Sequence, residues 1–171
     1  MYAPHHLYLS KYITVADFTR STIAVRYGID NRLPKELIPN AQKICAMYDT
    51  VYDEFDGAVF PSSAYRCHLL NKRAKGSKTS KHPLALAIDI EVDVRKNPNI
   101  SNKDVFTFCY NHFIHRQLIW EFSDPANASI PAWTHLAFLN DRVTLKAVKV
   151  YNEKLKVLET KYIPFTLSQV A

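Results

Sequence analysis

Glycine, cysteine and long apolar runs are all scarce in this 171-residue chain. With only three glycines, turns that need a positive φ must use Asn or Asp, or place other residues under strain. Three cysteines, Cys45, Cys67 and Cys109, are too few and too scattered for a disulfide framework or a cysteine-rich zinc site, so we expect free thiols. No apolar run approaches the ~20 residues that span a bilayer, and the first residues lack the pattern of a signal peptide. We therefore expect synthesis in the cytoplasm without a signal peptide, and no membrane span.

What the chain does contain suits one soluble globular domain. Its 171 residues can bury a single sizeable core, and 47% hydrophobic with 22% charged residues is an ordinary balance. The net charge of +6 favours anionic partners. Charge alone does not distinguish a nucleic acid, an anionic wall polymer or a peptide carboxylate. The stretch from 66 to 81 has no acidic residue and is read as a solvated face, a nucleic-acid patch or a platform for an acidic peptide.

Helical spacing of apolar residues predicts two helices in the first third of the chain. The segment TVADFTRSTIAVRYG predicts one short helix that begins near Thr14 and ends by Gly28. The segment PKELIPNAQKICAMYDTVYDEFDG predicts the main core helix, opened by Pro34 and closed by Gly57. Pro39 fits only in its first turn or at a kink. The predicted apolar face of this helix comprises Leu37, Ala41, Ile44, Cys45, Tyr48, Val51, Tyr52 and Phe55.

The rest of the chain predicts short strands and two further helices. AVFPSS, LALAIDIEV, QLIWEF and WTHLAF predict strands, and RVTLKAVKVY predicts the last one. HLLNKRAK predicts a short helix, SDPANASIP a loop, and NKDVFTFCYNHFIHR a second amphipathic helix. The apolar side of that helix is predicted to hold Val105, Phe108, Cys109, His112 and Phe113. Helices followed by neighbouring short strands indicate an α+β fold with a small antiparallel sheet.

A few polar residues on these elements suggest metal chemistry. His82 and Asp89 are seven residues apart, a span of ~23 Å along one straight strand. They can share a metal only if His82 lies in a loop that folds back, which Pro83 permits. In WTHLAF, His135 shares a strand face with Trp133. Two imidazoles and a carboxylate are a common ligand set for catalytic zinc, although spacing alone also fits an ordinary histidine and a capping aspartate.

Four segments resemble the M15 family of zinc peptidases. SSAYRCHLLNKRAKGSKTSKHPLALAIDIEV resembles the motif pair of that family, S-G-Y-R-S followed by S-x-H-x-x-G-x-A-x-D. LIWEF and PAWTHLAF resemble the region that supplies its last metal ligand. The opening LSKYITVADFTRSTIAVRYGIDN resembles the phage-associated branch of the family. The resemblance therefore runs in order over most of the chain.

The resemblance implies a role for each matching residue. The zinc ligands, carried on the antiparallel sheet, would be His82, Asp89 and His135. Arg66 matches an arginine placed near the substrate carbonyl, where it can stabilise a developing oxyanion. Ser80 matches the serine of S-x-H and is expected to touch substrate or orient the loop. Trp133 is expected to support His135 and shape one wall of the site.

This chain departs from the family pattern at three positions that bear on the site. Alanine replaces a motif glycine at Ala64 and at Ala85, which is mild where φ is negative and costly where it is positive. Many family members carry Asp or Glu three residues before the last histidine, where this chain has Ala132. Glu121 in LIWEF is the nearest acidic replacement for that catalytic base. The pattern of apolar residues does not tell whether Glu121 shares the strand face of His135.

The resemblance implies zinc-dependent hydrolysis of a peptide bond in bacterial peptidoglycan, with the stem peptide as partner. The family cuts D-alanyl-D-alanine and L-alanyl-D-glutamate bonds, and the sequence does not choose between them. A phage- or prophage-encoded protein would be made in the host cytoplasm and act at the cell wall in host lysis, or be carried in the virion. The peptidase domain is expected over residues 1–150, with a tail of undefined structure over 151–171.

Two other functions compete with this interpretation. A catalytically inactive M15-like protein, acting in binding or in virion structure, would explain Ala132 and the two missing glycines. A nucleic-acid-binding domain would rest only on the positive charge and the ten tyrosines. Metal content and peptide release from purified sacculi would separate these functions.

Overall fold

Capping side chains set the ends of the first two helices. The computed structural model describes residues 1–124, 127–152, 157–166 and 168. Its helices are α1 (Val15–Thr19), α2 (Thr22–Tyr27), α3 (Ile38–Glu54), α4 (His68–Arg73) and α5 (Asn102–His112). The prediction of a single helix between Thr14 and Gly28 is therefore wrong. Thr14 caps α1 through a capping box with Asp17, but the backbone is extended at Ser21, whose hydroxyl accepts from the backbone N–H of Ala24 and begins α2.

The main core helix is confirmed with small changes at its start. A 3-10 helix at Lys35–Leu37 follows Pro34 and leads directly into α3. Pro39 lies in the first turn of α3, where a missing N–H breaks no helical hydrogen bond. Gly57 follows the helix with φ of 74°. The residues that α3 buries are Ala41, Ile44, Cys45, Tyr48 and Val51.

Six strands form one mostly antiparallel sheet, so the predicted α+β class is confirmed. The strands are β1 (Val59–Ser63), β2 (Ala87–Val92), β3 (Arg116–Asp124), β4 (Asn127–Phe138), β5 (Arg142–Asn152) and β6 (Val157–Pro164). Their order across the sheet is β1-β2-β4-β3-β5-β6. Strand β3 pairs antiparallel with β4 and parallel with β5, and β5 pairs antiparallel with β6.

Two strand predictions near the C-terminus need correction. Most of SDPANASIP is strand rather than loop, because Ser123 pairs with Pro131 and Asp124 with Asn127 in an extended β3–β4 hairpin. Residues 125 and 126 of that segment lie outside the described residues. RVTLKAVKVY is not the last strand, since β6 follows it within the expected tail. Polar side chains leave backbone pairing intact, so a hairpin can run on through a polar segment.

The chain divides into two compact units, Met1–Asp89 and Ile90–Ala171, with the boundary inside β2. The core of the first unit includes Phe18, Leu33, Ile44, Tyr48 and Leu70, all nearly inaccessible to solvent. In the second unit the ring of Phe106 meets those of Trp120 and Phe165 at centroid distances of 5.2 and 5.6 Å. The expected apolar side of α5 is confirmed at Val105 and Cys109, whereas Phe106 is buried in place of Phe108. The division into 1–150 and 151–171 stays a prediction.

The three thiols agree with the expectation drawn from composition. Cys45, Cys67 and Cys109 are free, and the first and last are buried. In the described part of the chain, no helix is both long and apolar enough to cross a membrane.

Candidate metal and substrate site

A tight turn before β2 brings His82 back onto Asp89. His82–Leu84 forms a 3-10 helix with Pro83 in its first positions, and Ala85 ends it in the left-handed conformation. The chain then enters β2, on which Asp89 lies. His82 Nε2 is 3.3 Å from Asp89 Oδ2. The fold-back that the sequence required for these two residues is therefore present.

The hydrogen bond on the far side of the His82 ring fixes its tautomer. His82 Nδ1 contacts the carbonyl oxygen of Ala64. A carbonyl can only accept, so Nδ1 carries the hydrogen and donates it. In the neutral ring, Nε2 then presents its lone pair toward Asp89, which is the usual arrangement of a metal-binding histidine.

The spacing of the two side chains fits a zinc ion. Two ligand atoms at 2.0–2.2 Å from a tetrahedral zinc lie about 3.4 Å apart, close to the 3.3 Å between His82 Nε2 and Asp89 Oδ2. Both residues are buried, with 1% and 7% exposure. A buried imidazole and a buried carboxylate at this separation are suitable as two of the four ligands of a zinc ion.

Arg66 lies beside the same carboxylate. Its Nη2 is 3.4 Å from Asp89 Oδ2, and both side chains are largely shielded from solvent. The Arg66 backbone N–H donates to the His82 carbonyl at 3.5 Å. Arg66 is thus tied to the turn of His82 and faces the end of Asp89 that a metal would share. Its role toward substrate stays a prediction.

Asn31 holds the segment that carries Arg66, and sequence reasoning missed it. The buried Asn31 amide donates to the carbonyls of Thr19 and Tyr65 at 2.8 and 3.0 Å. Its oxygen accepts from the Cys67 backbone N–H at 2.8 Å. Both chain neighbours of Arg66 are therefore fixed by one side chain. No sequence signal marks Asn31, because its partners are distant in the chain.

The missing motif glycines have different consequences. Ala85 has φ of 55°, a conformation that costs a residue with a Cβ roughly 1–2 kcal/mol, whereas Ala64 is absent from the residues with positive φ. The other residues besides glycine in this conformation are Asp56, Lys75 and Phe122. Among the described residues, Asp56 is the aspartate expected at such a position, and the others are the residues expected to be under strain.

The two faces of the β3–β4 pair decide the position of Glu121. In the second unit, Glu121 lies opposite Trp133 and Ile119 lies opposite His135. Directly opposed residues share a sheet face, and so do residues two apart in one strand. Glu121, Trp133 and His135 therefore share one face. Because Glu121 is diagonal to His135 rather than opposite it, about 7–8 Å separates such positions, a gap that a glutamate side chain can partly bridge.

Asn102 links the end of β2 to β4 within the second unit. Its Oδ1 accepts from the Val92 backbone N–H at 2.9 Å, and its Nδ2 donates to the Ala132 carbonyl at 2.6 Å. Thr134 Oγ1 in turn donates to the Asn102 carbonyl at 3.2 Å. The backbone at Ala132 is thus tied to the C-terminal end of β2.

Ser80 and Trp133 have structural contacts as well as predicted substrate roles. Ser80 Oγ accepts from the His82 backbone N–H at a long 3.4 Å, so it helps to hold the turn. The Trp133 ring meets the Phe122 ring edge-on at 5.6 Å. Neither contact tests binding to a substrate.

A histidine and an aspartate poised for metal binding, on an α+β fold, are features of metal-dependent hydrolases. Residues 11–117 match the family described as Peptidase M15, which is more than half of the 171 residues. The chain therefore belongs to the peptidase M15 family. No curated protein and no solved structure matches the chain. The matched segment contains Arg66, His82 and Asp89, whereas Glu121 and His135 follow it.

Proposed function

We propose that this M15 family member is a zinc peptidase that cuts a peptide bond in bacterial peptidoglycan. The observation that carries the proposal is the His82–Asp89 pair, buried, 3.3 Å apart and inside the family-matched segment. We infer that His135, buried on β4 of the second unit, supplies the third ligand. Two imidazoles and a carboxylate leave a fourth zinc position open.

Each remaining catalytic role is assigned to a residue of the chain. When bound, zinc supplies Lewis-acid polarisation of the scissile carbonyl and activates a water. Arg66 holds the charge that develops on the carbonyl oxygen. Glu121 accepts the proton, since Ala132 has no group that can. Ser80 contacts the substrate or orients the loop of His82, and Trp133 supports His135 and shapes one wall of the site.

Family and charge support the proposed substrate class. A stem peptide of the cell wall carries carboxylates, and a net charge of +6 favours an anionic partner. The resemblance to the phage-associated branch supports a protein made in a host cytoplasm for lysis of its wall, or carried in a virion.

The test combines metal analysis with peptide release from purified sacculi. Protein purified without added zinc is expected to hold about one zinc per chain and to release stem-peptide fragments, because the proposed ligands form one site. His135→Ala should lose both zinc and release, whereas His112→Ala, at an exposed position on α5, should keep both. Mass spectrometry of the fragments identifies the bond that is cut.

The outcomes separate this proposal from its rival. Zinc without any peptide release would favour the inactive M15-like binding or structural protein, for which the alanine at Ala132 is the supporting observation. Retention of stoichiometric zinc in His135→Ala would remove that residue from the ligand set.

A further inference from the structure

Arg116 is a buried cation whose acceptors, among the described residues, are all neutral. It is the first residue of β3 and is fully inaccessible to solvent. Its Nη1 donates to the Val143 carbonyl at 3.2 Å and to Thr144 Oγ1 at 2.9 Å, and its Nη2 to the Tyr110 carbonyl at 3.3 Å. Among the described residues, its Nε has no hydrogen-bond partner. A buried charge is costly unless an opposite charge compensates it.

A second guanidinium stands next to the first. Arg142 Nη2 donates to the same Tyr110 carbonyl at 2.9 Å, and the two guanidinium carbons lie 5.1 and 5.0 Å from the Tyr110 ring centroid. Burial first, and then the charge of Arg142, lower the pKa of Arg116. Within the described part of the chain neither arginine forms an ion pair, and this includes Asp141, the neighbour of Arg142 in sequence.

The end of helix α5 compensates only part of this charge. Tyr110 lies in its last turn, where carbonyls point outward and favour cations. The negative end of a helix is equivalent to roughly half an elementary charge, whereas the two guanidiniums carry two full charges. Arg142 is exposed, so water screens its charge, but part of the charge of the buried Arg116 stays uncompensated.

A pocket of 480 Å³ opens beside these arginines. The residues that line it are Tyr110, Arg142, Thr144, Pro164, Phe165 and Thr166. Thr144 connects the pocket to the buried guanidinium, because its oxygen accepts from Arg116. Its own hydroxyl hydrogen can then donate to a guest.

We propose that this pocket binds a small oxyanion, a phosphate or a carboxylate group, through Arg142 and Thr144, with Arg116 behind them supplying charge. A guanidinium matches the paired oxygens of both groups. The pocket is built entirely from residues of the second unit, and the proposal does not depend on the peptidase function. The two anion sources are a phosphate-bearing polymer and a carboxylate-bearing one.

Titration with inorganic phosphate and with acetate, each at constant ionic strength kept with chloride, tests the proposal. Side-chain Nε–Hε NMR signals of the arginines report binding at the site itself. Saturable shifts are expected for wild type, with a Kd at least about tenfold weaker in Arg142→Gln, because a charge-assisted donor is lost. Arg95→Gln is the matched control, since Arg95 is 87% exposed and pairs with Asp93 on the surface.

Tighter binding of phosphate than acetate would assign the phosphate source, and the reverse order the carboxylate source. Equal affinity of wild type and Arg142→Gln, or no saturable binding of either anion by wild type, would overturn the proposal. Thr144→Val, which removes the hydroxyl without changing charge, is expected to weaken binding also, and it replaces Arg142→Gln should that variant not fold. The readout involves no hydrolysis, so its failure leaves the peptidase proposal standing.

Discussion

Arg66 Nη2 and Asp89 Oδ2 are 3.4 Å apart, with both side chains mostly shielded from solvent. The oxygen that meets Arg66 is also the one that faces His82 Nε2 at 3.3 Å. One carboxylate oxygen therefore stands between a fixed cation and a candidate metal-binding nitrogen. Arg66 is thereby placed to stabilise negative charge beside the proposed metal ligands without being a ligand itself.

Arg66→Ala is expected to keep zinc and lose turnover. The guanidinium donates no ligand atom, but its positive charge is proposed to stabilise the transition state, and loss of such a donor costs about 100- to 1000-fold in kcat. Zinc content and kcat are measured together on Arg66→Ala and Arg66→Lys. Lysine keeps the charge and loses the planar fork, so an intermediate rate is expected. Loss of zinc from folded Arg66→Ala would contradict the assignment.

Glu121→Gln is expected to spare zinc affinity and cut the hydrolysis rate about 100-fold or more, since the amide keeps the shape but cannot accept the proton. The shared face of Glu121 and His135 motivates this test. Glu159→Gln on β6 is the control, because it makes the same change on another strand. Near-normal hydrolysis by Glu121→Gln would exclude Glu121 as the base.

Asn31→Ala is expected to lower the free energy of unfolding by about 2–4 kcal/mol, because a buried N–H and two carbonyls lose their partners. The segment of Arg66 then loosens, so kcat should fall more than zinc affinity. Chemical denaturation and zinc titration measure the two effects. Asn99→Ala, at an exposed position, should change stability by less than about 0.5 kcal/mol. Equal losses in both variants would show that Asn31 has no special positioning role.

Ala85→Gly is expected to change the free energy of unfolding by less than about 1 kcal/mol. Glycine relieves the strain at φ of 55°, which offsets the lost methyl burial and the greater freedom of the unfolded chain. Ala87→Gly, also fully buried but in β2, has no such relief and should lose about 1–2 kcal/mol. Denaturation midpoints compare the pair, and equal losses would mean that Ala85 carries little strain.

Thiol reactivity at pH 8 should separate the three cysteines. Burial raises the pKa of the Cys109 thiol to about 12 and also raises that of Cys45, so little nucleophilic thiolate forms at either. One thiol per folded chain, that of the half-buried Cys67, should react readily with an aromatic disulfide reagent, and Cys67→Ser should abolish this reaction.

The free energy of unfolding should fall as the pH rises from about 9 to about 12. The reason is that the Cys109 thiol loses its proton near pH 9 in the unfolded chain and near pH 12 in the folded chain.

Much of the fold could be predicted from periodicity, and the errors have local causes. The main helix, the short strands and the α+β class follow from apolar spacing. The break at Ser21 depended on a cap competing with helix continuation. The long β3–β4 hairpin and β6 depended on backbone pairing with the strand next to each in the chain, which side-chain polarity does not encode.

The sequence by itself determined the chemistry on offer: which histidines, aspartate and arginine follow the family's order, and that an alanine stands where an acid is usual. Only the tertiary structure decided geometry, because a turn at positive φ brings His82 to Asp89 across seven residues and strand register places Glu121 on the face of His135. Asn31 and Arg116 emerged only there as well. Their partners are distant in the chain, and hydrogen bonds and charge depend on separation in space rather than along the sequence.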